Sequence, residues 1–237
     1  MIHLGTSGWY YDDWVGTFYP HTISKSEWLP FYTQHFHTVE VNASFYRLPF
    51  ENMIKGWEKK TPDDFLFVFK GSQVITHRKH LQNIGENLQQ FYQRIRLINK
   101  KLAVVLWQLP PQLKQDSDVL EGFLSQLDTA IPQVIEFRHS SWFTDNVYAL
   151  LSKYNVGFCI ISAPGFPIIL KTTTDFAYIR WHGKDTWYDY LYSPEEIQDW
   201  AQRIQKLDVK DIYGFFNNSY NAYAPKNCQH LLNLLDK

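Results

Sequence analysis

Cysteines and long apolar runs are scarce in this chain of 237 residues. Its two cysteines, Cys159 and Cys228, are too few for a disulfide scaffold or a cysteine-rich metal knuckle. No segment approaches the roughly 18 consecutive apolar residues of a membrane-spanning helix. The chain also enters a strand-like segment at once, without a basic and apolar leader. These absences predict a cytoplasmic protein with no membrane partner.

Charge of one sign is also missing, because the formal net charge is only −1. A balance this close to zero provides no general basic field for nucleic acid or an anionic membrane. Local basic patches are still compatible with a net charge near zero. Any anionic ligand must therefore be recognised by a local site and not by the whole surface.

Aromatic residues, in contrast, are abundant, with 9 Trp and 15 Tyr. Such rings combine a flat apolar face with a polar group, so we expect part of the excess to line a binding cleft. The alternative is a bulky aromatic core. The rings Trp9, Tyr46 and Trp142 are candidates for stacking on a sugar or a base, whereas Trp107 and Trp181 have the strand parity of core residues.

Eight hydrophobic strand-like runs alternate with helical patterns at about 30 residues per unit, as in a (β/α)₈ barrel. We therefore predict an α/β fold, a TIM-type (β/α)₈ barrel that forms a single domain over residues 1–237. A doubly wound open sheet is the alternative, but no G-x-G-x-x-G motif or P-loop follows the first strand. The predicted strands are Ile2–Gly5, Thr38–Asn42, Phe65–Lys70, Leu102–Gln108, Val134–Arg138, Gly157–Ser162, Phe176–His182 and Asp211–Asn217.

The helical patterns differ in strength. Ser193-Pro194-Glu195-Glu196 is typical of a helix start, with a serine cap, proline in the first turn and acids at the positive end of the dipole. A second helix is predicted from about Asn83 to Lys100. The unit after the sixth strand is the poorest, and we expect only a short irregular helix near Ile168.

Most of the strands end on polar residues that share one parity. In a barrel of this type the active site lies at the carboxyl ends of the strands, so these residues are expected to face one shared mouth. Buried charges are costly unless they are paired or used. A structural ion-pair network that plugs the barrel is the alternative. The inward-facing set is Glu40, Asn42, Lys70, Gln108, Glu136, Arg138, Arg180, His182 and Asn217.

The charges at this predicted mouth do not cancel. Two carboxylates, Glu40 and Glu136, oppose Lys70, Arg138 and Arg180, which leaves one positive charge in excess. An excess cation in a low-dielectric cleft favours an anionic ligand.

The seventh and eighth strands often build the phosphate site of this fold. Here they lead into His182-Gly183-Lys184 and Asn217-Asn218-Ser219, and a helix start near Pro225-Lys226 is expected to supply free amide groups. A phosphate, sulfate or carboxylate is the predicted ligand group.

Acid/base catalysis is the chemistry that remains after elimination. No G-x-S-x-G motif is present, and neither cysteine has the context of a nucleophile. Cationic neighbours lower the pKa of a carboxylate, so Glu40 and Glu136 are assigned as bases. A Schiff base on Lys70 is disfavoured because nearby carboxylates stabilise its charged form. The candidate acids are the three histidines that follow strands, namely His77, His139 and His182.

The same three histidines with a carboxylate could form a metal site. No H-E-x-x-H motif supports this, and the His77/His80 spacing is weak. We therefore predict no cofactor. A divalent metal is possible, but no motif in the sequence supports it.

Several motifs in order along the chain identify a family resemblance. They are Gly5-Thr6-Ser7-Gly8-Trp9, Phe18-Tyr19-Pro20, Val39-Glu40-Val41-Asn42, Phe45-Tyr46-Arg47-Leu48-Pro49, Thr76-His77, Gln108-Leu109-Pro110-Pro111, Glu136–Trp142, Arg180-Trp181-His182-Gly183 and Phe216-Asn217-Asn218. Together they cover almost the whole chain and resemble the YecE-like family, also called domain of unknown function 72. The resemblance implies a TIM barrel in a bacterial cytoplasmic protein, and it implies no substrate.

Two departures from the family pattern concern loops. Ser162-Ala163-Pro164 stands where the resemblance implies an Asp after the sixth strand, so any role of that Asp is absent from this chain. The stretch Ser219–Pro225 also lacks the expected glycine.

The leading hypothesis is an enzyme that acts on a small anionic compound, phosphorylated or carboxylated and sugar- or nucleotide-derived, by acid/base hydrolysis or isomerisation. The alternatives are a non-catalytic protein that binds a metabolite or single-stranded nucleic acid in the same cleft, and a structural protein whose cleft is filled by its own side chains. The residues assigned to hold the anion are Arg47, Lys70, Arg138 and Arg180, and those assigned to orient it are Asn42, Gln108, Asn217 and Asn218.

Overall fold

The computed structural model describes residues 1–235 and contains a closed parallel barrel of eight strands. Neighbouring strands follow the order of the chain, and the first pairs with the eighth through five register positions from Ile2–Ile212 to Thr6–Phe216. The predicted (β/α)₈ fold is confirmed. The strands are β1 (Ile2–Ser7), β2 (Thr38–Val41), β3 (Leu66–Lys70), β4 (Leu102–Gln108), β5 (Gln133–Glu136), β6 (Val156–Ser162), β7 (Phe176–Trp181) and β8 (Asp211–Phe216).

Helices surround this barrel in the described part of the chain. They are α1 (Trp28–Tyr32), α2 (Ala43–Tyr46), α3 (Glu51–Lys59), α4 (Gly85–Ile95), α5 (Ser117–Leu124), α6 (Asp145–Lys153), α7 (Pro194–Gln205) and α8 (Tyr223–Leu235). Shorter 3₁₀ turns and one π-helical turn, Val74–Arg78, complete the connections.

Helix α7 shows why the local sequence folds as it does. Its start is a capping box in which the Ser193 hydroxyl accepts from the Glu196 amide while the Glu196 carboxylate accepts from the Ser193 amide. Buried residues then recur at Ile197, Trp200, Ala201 and Ile204, the spacing that places one stripe of a helix on the sheet. The predicted helix start is thus observed.

Two predicted helices differ from the observed structure. The α-helical hydrogen bonding of α4 ends at Ile95, and a 3₁₀ segment replaces the predicted continuation to Lys100 because Asn99 has a φ of 58°. The expected helix near Ile168 is not formed, and the connection from β6 to β7 is irregular. Its backbone is tied down in part by Thr173, whose hydroxyl accepts from the Phe158 amide and donates to the Val156 carbonyl.

The strands have apolar cores on both faces. Outside, the rings of Trp107 and Trp181 are fully buried against the helices, as their parity predicted. Inside, an apolar cluster fills the barrel, and it includes Val68, Val104, Leu106, Val134, Cys159, Ile161, Tyr178 and Phe215. The barrel interior is therefore a packed core, and ligands can only be received at its ends.

Candidate functional site

One guanidinium lies at the centre of the polar residues that follow this inner core. Arg180, on β7, donates from Nη1 to Glu136 on β5 and from Nη2 to Glu40 on β2, each over 2.6 Å. All three side chains have no exposed surface. The fork of an arginine suits such a double pairing, and it satisfies two carboxylates that would otherwise be very costly to bury.

Glu40 has no free oxygen atom for a ligand. Besides Arg180, its carboxylate accepts from the Ser7 hydroxyl over 2.7 Å and from the Tyr178 hydroxyl over 2.6 Å. Glu40 was expected to act as a base at the mouth. The structure places it inside the barrel, where both oxygens of its carboxylate already accept hydrogen bonds. This arrangement suits a supporting role and leaves no route to a substrate.

Glu136 connects this buried pair to groups nearer the solvent. Its Oε1 accepts from the Nε of Arg138, and its Oε2 lies 3.4 Å from the Nε2 of His182. Burial alone would raise the pKa of Glu136. The charges of Arg138 and Arg180 outweigh that cost and hold the pKa well below its usual range. Glu136 is therefore an anion that anchors cations and a very weak base.

His182 is a neutral ring in this arrangement. Its complete burial, together with the charge of Arg138, lowers its pKa to about 3. The Nη2 of Arg138 lies 3.0 Å from its Nε2, which also lies 3.4 Å from the Glu136 carboxylate. The Nδ2 of Asn217, an amide donor, lies 3.1 Å from its Nδ1. At neutral pH His182 cannot serve as the cationic acid that the sequence predicted.

Arg138 is more exposed than Glu40, Glu136 and Arg180, with 10% of its side chain accessible. Its guanidinium carbon lies 4.5 Å from the ring centre of Trp187, which belongs to the connection between β7 and α7. The stacked indole and the Glu136 carboxylate fix the orientation of this guanidinium. Trp187 was missed by the sequence analysis because nothing in a loop sequence indicates where the loop folds back.

Lys70 ends β3 and is partly exposed at the same mouth. Its Nζ lies 4.2 Å from the centre of the Phe45 ring. Within residues 1–235 no carboxylate lies within ion-pair distance of it. Desolvation by burial, followed by the charge of Arg180, lowers its pKa to about 7, and the two nearby carboxylates only partly oppose this. The carboxylates do favour the charged form of Lys70, as expected from the sequence, but burial and Arg180 outweigh them.

His77 lies beside Lys70, across the same phenyl ring. Its imidazole packs edge-on against Phe45 at 4.9 Å, and its Nδ1 lies 2.8 Å from the Thr76 hydroxyl. Burial, followed by the charge of Lys70, lowers the pKa of His77 to about 4. His77 is thus a second neutral imidazole at neutral pH, able to donate or accept a hydrogen bond.

Other predicted site residues lie apart from this group. Trp142 is buried in the core, stacked on Phe137 at 4.8 Å, and donates to the Leu113 carbonyl, so it cannot stack on a ligand. His139 accepts from the Ser141 amide and holds the turn Ser140–Trp142. Asn218 is buried and donates to the Tyr190 carbonyl and to Asn227.

Three further predicted residues are at the edge of the mouth or outside it. Gln108 is adjacent to Glu136 in register, but its amide donates to the Leu109 carbonyl. Tyr46 is 72% exposed at the end of α2, and Arg47 lies over the ring of Phe50 at 4.3 Å. In the described chain, neither Tyr46 nor Arg47 makes a side-chain hydrogen bond with Glu40, Glu136, Arg138 or Arg180.

The phosphate site expected between the seventh and eighth strands is not formed as predicted. The amide of Gly183 donates to the Tyr192 hydroxyl over 3.0 Å, and Lys184 is paired with Glu196 over 2.9 Å. Helix α8 begins at Tyr223, two residues before the predicted start. The three histidines do not converge either, and residues 1–235 contain no group of three His, Cys, Asp or Glu side chains that could hold a metal ion.

A cleft of about 680 Å³ opens beside the mouth, at the carboxyl ends of β1 and β2. We call it the aromatic cleft, and its lining residues are Gly8, Trp9, Tyr10, Tyr11, Lys25, Ser26, Leu29, Val41, Asn42, Ala43, Met53, Trp57 and Lys60. Of the predicted site residues, only Trp9 and Asn42 line it. The Oδ1 of Asn42 is buried and has no hydrogen-bond partner among the described residues.

The fold and this polar mouth define a (β/α)₈ barrel protein with an internal ion-pair network and a cationic opening. The chain belongs to the family described as "Protein of unknown function DUF72", whose model matches residues 3–237.

Relatives and solved structures agree with this assignment. The chain is 28% identical to the UPF0759 protein YunF of Bacillus subtilis, over 100% of this chain and 95% of that protein. It is also 28% identical to the UPF0759 protein YecE of Escherichia coli, over 60% of this chain and 50% of that one. A crystal structure of a DUF72 family protein from Thermotoga maritima superposes with a TM-score of 0.92 at 31% identity, covering 100% of both chains. A DUF72 family protein from Enterococcus faecalis gives 0.87 at 21% identity, over 100% of this chain and 96% of that one, and shows the fold alone.

The helices of the described residues are too short or too polar to span a membrane. None has both the length and the apolar composition needed to cross a bilayer.

Proposed function

We propose that this protein is an enzyme that binds a small anionic substrate at the barrel mouth and transfers a proton with Lys70. The observation that carries the proposal is Lys70, a partly exposed lysine at the end of β3 that has no ion-pair partner in residues 1–235. The charges of Arg138 and Arg180 both act on it. Active sites of this fold lie at that end of the strands. The proposal involves no cofactor.

The roles differ from those first assigned. Glu40 and Glu136 neutralise Arg180 and hold Arg138, so they support the site and do not act as bases. Lys70 is the only cation of the group without a carboxylate partner in the described chain, and it supplies the excess positive charge. With a pKa of about 7, this amine can accept a proton and return it at neutral pH, as an isomerase or an acid/base hydrolase requires.

Arg138 is the proposed anchor for the anion. Its guanidinium is fixed by Glu136 and Trp187, which reduces the entropy lost when a carboxylate or phosphate binds. The neutral ring of His77, which is partly exposed, can donate a hydrogen bond to a developing negative charge without adding to the positive field. The proposal places this chemistry in the reducing cytoplasm, which the two buried and unpaired cysteines support.

The test is a thermal-shift screen with inorganic phosphate, phosphorylated sugars and small carboxylates, followed by turnover assays on the hits. Binding of small carboxylates, which stay ionised across this range, should be tighter below pH 7 than above it, because protonated Lys70 attracts the anion. Lys70→Met should abolish this pH dependence. Lys184→Met is the matched control, since Lys184 is exposed and already paired with Glu196. An anion response that is the same in wild type and Lys70→Met would contradict the proposal.

A second candidate function is non-catalytic binding of an anionic metabolite or a single nucleic-acid strand. The observation in its favour is that both carboxylates at the mouth are already neutralised by arginines. Phosphate contacts to a strand would make the affinity fall steeply with salt. Tight binding of an oligonucleotide with such a salt dependence, together with no turnover of any bound metabolite, would favour this function.

A further inference from the structure

The aromatic cleft has the dimensions and composition of a small-molecule site. Its volume of about 680 Å³ lies within the roughly 300–1,000 Å³ of typical ligand pockets. The walls are mostly aromatic and apolar, and the rings of Trp9 and Trp57 are perpendicular at 89°, with their centres 5.4 Å apart. Flat walls of this kind accept a planar ring more readily than a branched aliphatic group.

Polar groups in the cleft point to a ring with hydrogen-bonding edges. The buried Oδ1 of Asn42 has no partner in the described chain, and an unsatisfied buried amide is costly unless a ligand completes it. Asn42 precedes α2 but makes no capping hydrogen bond with it, so the side chain has no evident role in holding the helix. An amide offers one donor and one acceptor, which matches the edge of a nucleobase.

The charge of the cleft favours an anion attached to that ring. Among the described residues that line it, Lys25 and Lys60 are cationic and none is acidic. Lys25 is paired with Asp12, and Lys60 donates to the Ser26 carbonyl. Both residues are exposed. An uncharged apolar ligand would make no use of this polarity.

The cleft and the mouth are adjacent. Val41 pairs with Phe69 in the β2–β3 register, so the next residues, Asn42 and Lys70, are neighbours at the ends of the two strands. Adjacent strands are about 4.8 Å apart. A ligand whose ring contacts Asn42 can therefore place an attached group at Lys70.

We infer that the aromatic cleft binds the base of a nucleoside monophosphate whose phosphate is held by Lys70 and Arg138. This inference rests on the proposed function for its anion site and adds the class of substrate. The stacking walls account for the ring, the Asn42 amide for its polar edge, and the excess cation for the phosphate.

Titration calorimetry of the full chain can test the ring and the phosphate separately. The probes are 5′-AMP, 5′-CMP, adenosine and inorganic phosphate. At least one nucleotide should bind more tightly than both adenosine and phosphate, because it uses the two sites together. Trp57→Leu should weaken that nucleotide and adenosine on the order of tenfold, the scale of one lost stacking contact, and leave phosphate unchanged.

Two more variants separate the polar contacts. Asn42→Leu, which removes no capping hydrogen bond from α2, should weaken nucleotide and adenosine but not phosphate. Lys70→Met should weaken nucleotide and phosphate but not adenosine. Tyr154→Leu is the matched control, because Tyr154 ends α6 at the opposite end of the barrel. It should change none of the affinities.

The outcomes distinguish this inference from the proposed function. If phosphate binds through Lys70 while both nucleotides bind no more tightly than phosphate, the cleft assignment is wrong and the proposed function stands. If Trp57→Leu does not change nucleotide affinity, the cleft assignment is also wrong. If adenosine binds through Trp57 but Lys70→Met affects no probe, the anion site of the proposed function is wrong and the cleft is left as a base-binding site.

Discussion

Arg180 shows at the scale of one residue how a buried charge can be both costly and necessary. Its guanidinium has no exposed surface, and it pairs with two carboxylates that have none either. Apolar side chains could have filled the barrel at these positions. They do so nearer the other end of the barrel, where the inner core is apolar. The ion pairs therefore serve to hold charge in a fixed place, and their partners depend on Arg180 for neutralisation.

Replacing Arg180 tests this dependence. Arg180→Met leaves Glu40 and Glu136 buried without their shared cation, so the free energy of unfolding should fall by about 3–5 kcal/mol. Urea unfolding at pH 7 measures the change. The control is Lys210→Met, which removes an exposed pair with Asp175 and should change the free energy of unfolding far less, because exposed ion pairs contribute little. A loss for Arg180→Met as small as that of the control would show that the buried network is not needed for stability.

Lys70 is predicted to react as a neutral amine near neutral pH. Burial lowers its pKa to about 7. Its rate of acylation should therefore reach half of its maximum near pH 7, measured by mass spectrometry of timed reactions. Lys210 is the control, because its pKa is raised, with the hydrogen bond to Asp175 as the first cause, and its reaction should require a much higher pH. Equal pH profiles for the two lysines would be incompatible with the desolvated amine.

The connection between β7 and α7 is the element that covers the mouth. It begins at Gly183, which has a φ of 122°, and a Cβ there would lie 2.0 Å from the Thr186 carbonyl oxygen. Only glycine can occupy such a position without strain. The tight start allows the Tyr188 amide to donate to the His182 carbonyl and places Trp187 over Arg138.

Gly183→Ala should therefore loosen this connection. The added methyl group must displace the Thr186 backbone, so hydrogen exchange should become faster in residues 184–192, and Arg138 should lose its stacking partner. The matched control is Gly56→Ala within α3, where a Cβ meets nothing within 4 Å. That substitution should stabilise the protein by roughly 0.5–1 kcal/mol, since alanine is the better helix former. Unchanged exchange in residues 184–192 of Gly183→Ala would contradict the role given to the glycine.

The elements could be predicted from the sequence because their signals are local. Alternation along β2 and β7 gave the parity of Glu40 and Arg180, and the Ser193-Pro194 pair gave the start of α7. The end of α4 was missed, since the positive φ of Asn99 depends on how the chain re-enters the barrel. The helix predicted near Ile168 was wrong as well, because the segment after β6 is irregular and Phe166 packs against the distant rings of Phe143 and Trp187.

The site was less predictable than the elements, because protonation depends on burial. Parity placed Lys70 beside carboxylates, but it could not show that desolvation outweighs their attraction. It also could not show that Ser7 and Tyr178 occupy the oxygens of Glu40. Tyr178 had a usable signal, since it precedes Arg180 by two residues on the same face of β7. Trp187 had none.

The closed barrel as a whole contains buried groups whose pKa values are lowered. Closure of the sheet places His182 and Glu136 where water cannot reach them, and the neighbouring arginines add positive charge. Both groups have pKa values below those of the unfolded chain. The unfolded state therefore binds more protons in acid, so stability must be lost as the pH falls.

We expect the free energy of unfolding to decline as the pH falls from about 6.5, the ordinary value of histidine, towards 4. His182 should contribute about 1.4 kcal/mol per pH unit in this range, because its pKa of about 3 keeps it neutral in the folded state while the unfolded imidazole takes up a proton. Glu136 should add to the loss only below about pH 4.5, where the unfolded carboxyl begins to protonate. Urea unfolding in small pH steps measures both ranges. His182→Gln should reduce the slope of the upper range without abolishing it, because His77, whose pKa is lowered to about 4, contributes there too. His37→Gln, at an exposed position, should leave the slope unchanged. A wild-type curve that stays level from pH 6.5 to 4.5 would mean that His182 is protonated in the folded barrel, and this would contradict its description as a neutral ring.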